Sequence, residues 1–90
     1  MARELHVSSL VVHGAAARLS EICAAIEGMA GAEVHARDPA GKLIVTIESC
    51  NEAEIGRQVE AMRALDGVHA ASLVYHQVDD AEGADAEEQP

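Results

Sequence analysis

The sequence predicts an α+β fold, a four-stranded antiparallel sheet with two helices on one side, on three observations. A β-rich run, Ser8-Ser9-Leu10-Val11-Val12-His13, returns near the end as Ala71-Ser72-Leu73-Val74-Tyr75-His76-Gln77. Between them lie two stretches whose apolar residues recur at helical spacing. A shift of 36 residues without a gap lays one half on the other, Leu19 on Ile55, Cys23 on Val59, Ile26 on Met62 and Gly31 on Gly67.

In chain order, residues 5–13 read as a first strand, and Gly14 lets the chain turn. From Ala15, a stripe of Leu19, Ile22, Cys23, Ile26 and Met29 predicts a helix, stopped by Gly28 and Gly31. Residues 32–38 form a second strand. Asp38-Pro39-Ala40-Gly41 is a turn, because Pro presets one dihedral and Gly accepts positive φ. A third strand covers 42–49. Asn51, followed by Glu52 and Glu54, caps a second helix carrying Ile55, Val59, Met62 and Leu65 on one face and ending at Asp66-Gly67. The fourth strand runs from Val68 to Val78. Residues 79–90 lack the apolar content to pack and are expected to form a disordered acidic tail behind a domain of residues 1–78.

Two right-handed βαβ units closing one antiparallel sheet give a ferredoxin-like sandwich with strand order 4-1-3-2. The 36-residue shift also assigns faces. It puts Val7, Ser9 and Val11 with Leu43, Val45 and Ile47, and Val34 and Ala36 with Ala70 and Ser72, beneath the helices. Leu10, Val12, Ile44, Leu73 and Tyr75 then form an apolar patch on the open face, and such patches mark binding sites. Burial of this face in a homodimer is the alternative. A slip of one residue in phase would exchange the faces.

Charge narrows the partners. The formal net charge is −10, and six acids but no base follow Val78, which leaves ten acids against six bases in the body. Such a surface disfavours nucleic acid and anionic membranes and suits a basic partner. No secretory leader or membrane-spanning run is legible, so a cytoplasmic location is expected, with Cys23 and Cys50 as free thiols.

The chemistry of catalysis is missing. His6, His13, His35, His69 and His76 fit no zinc spacing, and the loop His13-Gly14-Ala15-Ala16-Ala17 offers no metal ligand. No glycine-rich phosphate cradle follows a strand. The sheet has one aromatic residue, Tyr75, too few to stack RNA bases. The expectation is a binding protein: no enzyme, no metal, no cofactor.

Ser9-Leu10-Val11-Val12, Gly41-Lys42-Leu43-Ile44-Val45 before Glu48, and Gly67-Val68 followed by Ser72-Leu73-Val74-Tyr75-His76-Gln77 resemble the NapD family over about residues 5–78. Members are small cytoplasmic chaperones for the catalytic subunit of the periplasmic nitrate reductase. The resemblance implies binding of the twin-arginine signal peptide of the reductase precursor, holding it from the Tat translocase until its cofactors are installed. It implies no cofactor, no catalysis and no membrane insertion for the chaperone. On the face assignment above, Leu10, Val12, Ile44, Leu73 and Tyr75 receive the peptide's apolar stretch, and Glu33, Glu48 and His76 form a polar rim for its arginines. Leu10→Asp or Leu73→Asp is then expected to abolish binding and spare the fold. Two other readings stay open: a small-ligand regulatory module of the ACT type, and a structural homodimer through the open face.

Overall fold

A computed structural model describes the backbone of residues 4–80 and the side chains of residues 4–78. Its elements follow the order β1 (Glu4–Gly14), α1 (Leu19–Glu27), β2 (Ala32–Asp38), β3 (Lys42–Ser49), α2 (Glu52–Arg63) and β4 (Val68–Asp80), with a 3-10 turn at Ala16–Arg18. The strands form one antiparallel sheet ordered β2-β3-β1-β4, which is the ferredoxin-like arrangement. Residues 81–90, most of the expected tail, lie outside the described residues, whereas Asp79 and Asp80 belong to β4 and pair with Leu5 and Glu4.

Local chemistry sets the boundaries. At the β2–β3 turn the Ala40 amide donates to Asp38 Oδ1 at 2.9 Å and Gly41 takes φ +114°. A Cβ on Gly41 would stand 2.3 Å from the Gly14 carbonyl oxygen, so the turn closes against β1 only with glycine. Helix α2 begins at Asn51, whose Oδ1 accepts from the Ala53 amide at 2.9 Å. Asn51→Ala is expected to remove this cap and lower unfolding free energy by about 1 kcal/mol, read from urea denaturation.

The core lies between the helices and one sheet face. Leu19, Ile22 and Ile26 of α1 and Ile55, Val59 and Met62 of α2 press on Leu43, Val45 and Ile47 of β3 and Val34 of β2, as the spacing predicts. On β1, however, the buried residues are Ser8, Leu10 and Val12, with Leu10 at 0% and Val12 at 1% exposure. The expected phase of β1 is reversed. Leu10 and Val12 belong to the core, and Val7, Ser9 and Val11 face outward.

The reason is a difference in connection length. A shift of 36 matches the buried residues of the helices, Leu19 with Ile55 and Ile26 with Met62, but the buried positions of β1 and β3 lie 35 apart, Leu10 with Val45 and Val12 with Ile47. Val12 and Leu19, the core residues flanking the first connection, are seven positions apart; Ile47 and Ile55 in the second half are eight apart. The 3-10 turn lies inside the first connection, where the Ala15 amide is drawn onto the Gly67 carbonyl at 2.8 Å. One residue of difference exchanges every side chain between faces.

Two register shifts scatter the rest of the expected patch. On β4, Ser9 pairs with Tyr75 but Leu10 pairs with Leu73, which leaves Val74 without an opposite number. Leu73 and Tyr75, two residues apart, therefore point to opposite faces: Leu73 towards α2 with Leu10, Tyr75 to the open side with Ser9. On β2 the shift between Val34 and Ala36 turns Ala36 outward opposite Ile44 and sends Arg37 towards α1, where it donates to Ser20 Oγ at 3.0 Å. Ala71, not Ala70 or Ser72, is the β4 residue buried at 3% exposure.

Candidate functional site

The helices cover one side of the sheet and leave the other bare. Down the middle of the bare face run Val7, Ser9 and Val11 of β1 beside Ile44 and Thr46 of β3, all half-buried. Register places Val11 opposite Ile44, Ser9 opposite Thr46 and Val7 opposite Glu48. Tyr75 of β4 stands at 57% exposure opposite Ser9. The face thus carries Val7, Val11 and Ile44 around a central hydroxyl rung of Ser9 and Thr46, with an aromatic ring on one flank.

Charge on this face is divided between its ends. Glu33 pairs opposite Thr46, and Glu48 lies two residues further along β3, so the two residues are diagonal neighbours whose backbones lie roughly 7–8 Å apart. Lys42 and His13 pair at the other end. His35 lies over the face with its Nε2 2.7 Å from Thr46 Oγ1 and 3.9 Å from Glu33 Oε1.

Of the residues the sequence reading placed here, Ile44, Tyr75, Glu33 and Glu48 are on the open face. Leu10 and Val12 are not accessible to any ligand. Leu73 and His76 stand on the helix side.

That side carries a feature which sequence reading missed. A groove of about 330 Å³ runs between α2 and β4, floored by Ser8, Ile55, Val59 and Leu73, with Glu52, Gly56, Glu60 and Arg63 along the helix and His76 on the strand. Arg63 is already engaged: its Nε and Nη2 donate to the Ala71 carbonyl at 3.1 and 3.0 Å, and its Nη1 to Glu60 Oε2 at 2.8 Å.

Beneath the groove a polar chain ties β4 to β1. Ser8 Oγ is 2.7 Å from His76 Nδ1, His76 Nε2 is 3.4 Å from His6 Nδ1, and His6 Nε2 is 3.3 Å from Glu4 Oε1. With both rings neutral, one proton arrangement makes every step a donor–acceptor pair. Ser8 O–H donates to His76, His76 Nε2–H donates to His6, and His6 Nε2–H donates to Glu4. The chain superficially resembles a nucleophile with its base, but Ser8 has 0% exposure and its strand is paired with β3 on one side and β4 on the other. Ser8 is therefore not accessible as a nucleophile. Its role is to hold the far half of β4 on the sheet, a pairing across 68 residues that no local pattern announces.

Four large apolar side chains of the described residues are exposed: Leu73 at 50%, Val74 at 60%, Tyr75 at 57% and Val78 at 48%. All four lie on β4, a strand at the edge of the sheet. The bulge spreads three consecutive ones around that edge, Leu73 in the groove, Tyr75 on the open face and Val74 between them. No set of three or more His, Cys, Asp or Glu side chains among the described residues could hold a metal ion. None of the described helices is long and apolar enough to cross a membrane.

Known proteins resemble this chain in sequence and fold. The chain is 40% identical over 72 residues to Chaperone NapD of Escherichia coli K12, spanning 79% of this chain and 83% of that protein. It is 34% identical over 80 residues to Chaperone NapD of Haemophilus influenzae, spanning 88% and 86%. The solution structure of the E. coli Tat proofreading chaperone protein NapD superposes with a TM-score of 0.75 at 38% identity, covering 96% of this chain and 87% of that one. The family model for the NapD protein matches residues 5–80, and with these relatives it establishes that the chain belongs to the NapD family.

Proposed function

We propose that this protein is a cytoplasmic, non-catalytic chaperone that binds the twin-arginine signal peptide of the periplasmic nitrate reductase precursor. By holding that peptide it delays Tat export until the precursor has received its cofactors. The observation that carries the reading is the uncovered sheet face, with Val7, Val11, Ile44 and Tyr75 on it and carboxylates at one end.

A twin-arginine signal joins a cationic segment to an apolar one. The apolar segment lies over Val7, Val11, Ile44 and Tyr75, where it excludes water from surface that the helices leave bare. Glu33 and Glu48 give that end of the face a negative field, which with the net charge of −10 steers the arginines in and repels acidic sequences. Membership of a family whose E. coli representative is described as a Tat proofreading chaperone supports the same partner.

The test is titration of the chain with a synthetic signal peptide from a periplasmic nitrate reductase precursor, followed by calorimetry and light scattering. The expected result is a 1:1 complex that weakens when the paired arginines are replaced by glutamine and when salt is raised from 50 to about 500 mM, a range over which exposed charge pairs are screened. A dimer indifferent to the peptide, or equal affinity for a peptide without arginines, would reject the reading.

A further inference from the structure

Helix α2 carries a glycine at its centre that the fold itself does not need. Glycine destabilises an exposed helix interior relative to alanine, because it gives up more backbone freedom on folding. At two other positions sterics demand glycine: a Cβ on Gly31 would meet the Glu48 carbonyl oxygen at 2.3 Å, and one on Gly14 would meet Ile22 Cδ1 at 2.7 Å. At Gly56 a Cβ would meet nothing within 4 Å, and φ is not positive. What the missing side chain leaves open is the wall of the groove between α2 and β4.

Around that opening the residues have a definite chemistry. Glu52, Gly56 and Glu60 follow one another at i, i+4 and i+8 and share a helix face, with the backbones of the two glutamates about 12 Å apart along the axis. Below them are Ile55, Val59 and Leu73. Glu52 has no ion pair with any described residue, and Glu60 shares one oxygen with Arg63. An apolar floor between two carboxylates, with a notch in the wall, fits an arginine side chain. The methylene stem and flat guanidinium face cover the aliphatic floor while the N–H groups reach one of the carboxylates, which leaves the other for a second arginine. A lysine would place a compact, strongly hydrated charge on the same apolar floor.

We infer that the α2/β4 groove is where the arginines of the bound peptide come to rest, with the peptide crossing edge strand β4 over Val74. This rests on the signal-peptide reading and locates its cationic half. Leu73, Val74 and Tyr75 make the path continuous from the groove over the edge to the open face. Glu33 and Glu48 act at long range. Glu33 is 69% exposed on a flat face, where water screens an ion pair, whereas the groove removes part of the water from around the guanidinium.

The experiment is a cycle between Gly56→Leu and replacement of the peptide's two arginines by glutamine, with Glu33→Gln/Glu48→Gln in parallel. Leucine is a better helix former than glycine and has open space here, so the melting temperature of Gly56→Leu is expected to equal or exceed the parent's. Its affinity for the arginine peptide is expected to fall about tenfold, while affinity for the glutamine peptide stays unchanged. Glu52→Gln/Glu60→Gln should reproduce the pattern without filling the groove. Equal affinity of Gly56→Leu for the arginine peptide, or a loss that appears only in Glu33→Gln/Glu48→Gln, would overturn the groove assignment and leave the signal-peptide reading standing. Failure of the parent chain to bind the peptide would instead remove the reading itself.

Discussion

Leu10→Asp is expected to unfold the protein. Leu10 has 0% exposure, pairs with Val45 on one side and Leu73 on the other, and belongs to the cluster that both helices cover. Truncating such a leucine to alanine costs about 2–5 kcal/mol through lost transfer energy and the cavity left behind. Aspartate adds an unpaired carboxylate in the apolar layer, which must be either ionised in low dielectric or protonated at further cost. A domain of this size is stabilised by about 5–15 kcal/mol, near the lower end for so short a chain. The two terms together consume most or all of it. Amide NMR dispersion should collapse for Leu10→Asp, while Leu10→Ala should remain folded with a lower urea midpoint. A Leu10→Asp variant that kept dispersed spectra would mean that β1 presents Leu10 outward after all.

That outcome differs from the one a sequence reading expects, and the difference shows where pattern carries information. Strands β2 and β3 and the turn between them are legible to the residue, because Asp38-Pro39-Ala40-Gly41 punctuates two short alternating runs. The cap at Asn51 and the helical stripes are legible for the same reason, since their partners are a few positions away. Strand β1 is apolar on both faces, so alternation cannot choose between Leu10 with Val12 and Val7 with Val11. The choice falls to an internal register, and a one-residue difference between the two strand-to-helix connections reverses it. The bulge at Val74 and the Ser8–His76–His6 chain depend on pairing between the two ends of the chain, which no window of sequence contains. Of the candidate site, the idea of an uncovered sheet face with carboxylates at its margin survives, and Ile44, Tyr75, Glu33 and Glu48 remain on it. The groove beside α2 was invisible, because its floor mixes residues from β1, α2 and β4.

Ile44→Asp is expected to give the converse result: a folded protein that no longer holds the signal peptide. Ile44 is a direct neighbour of the core in the sheet, yet its side chain points the other way, opposite Val11 and Ala36. An aspartate there stays in water in the free protein, and the cost to the fold is the loss of a β-branched side chain from a strand, on the order of 1 kcal/mol. In the complex the same carboxylate would lie under the peptide's apolar stretch at the middle of the face, where a contact residue matters most and an unpaired charge is dehydrated. The expected loss is at least about 3 kcal/mol, a factor of more than about a hundred in Kd by calorimetry. Ala40→Asp, on the exposed β2–β3 turn, adds the same charge away from the face and should bind as the parent does. If Ile44→Asp binds normally, the peptide does not use the open face. If instead it converts a dimer to a monomer without touching peptide affinity, that face is a self-interface. Leu10 and Ile44 occupy adjacent rungs of the β1–β3 ladder, and their opposite outcomes follow from a single fact, the parity with which β1 enters the sheet.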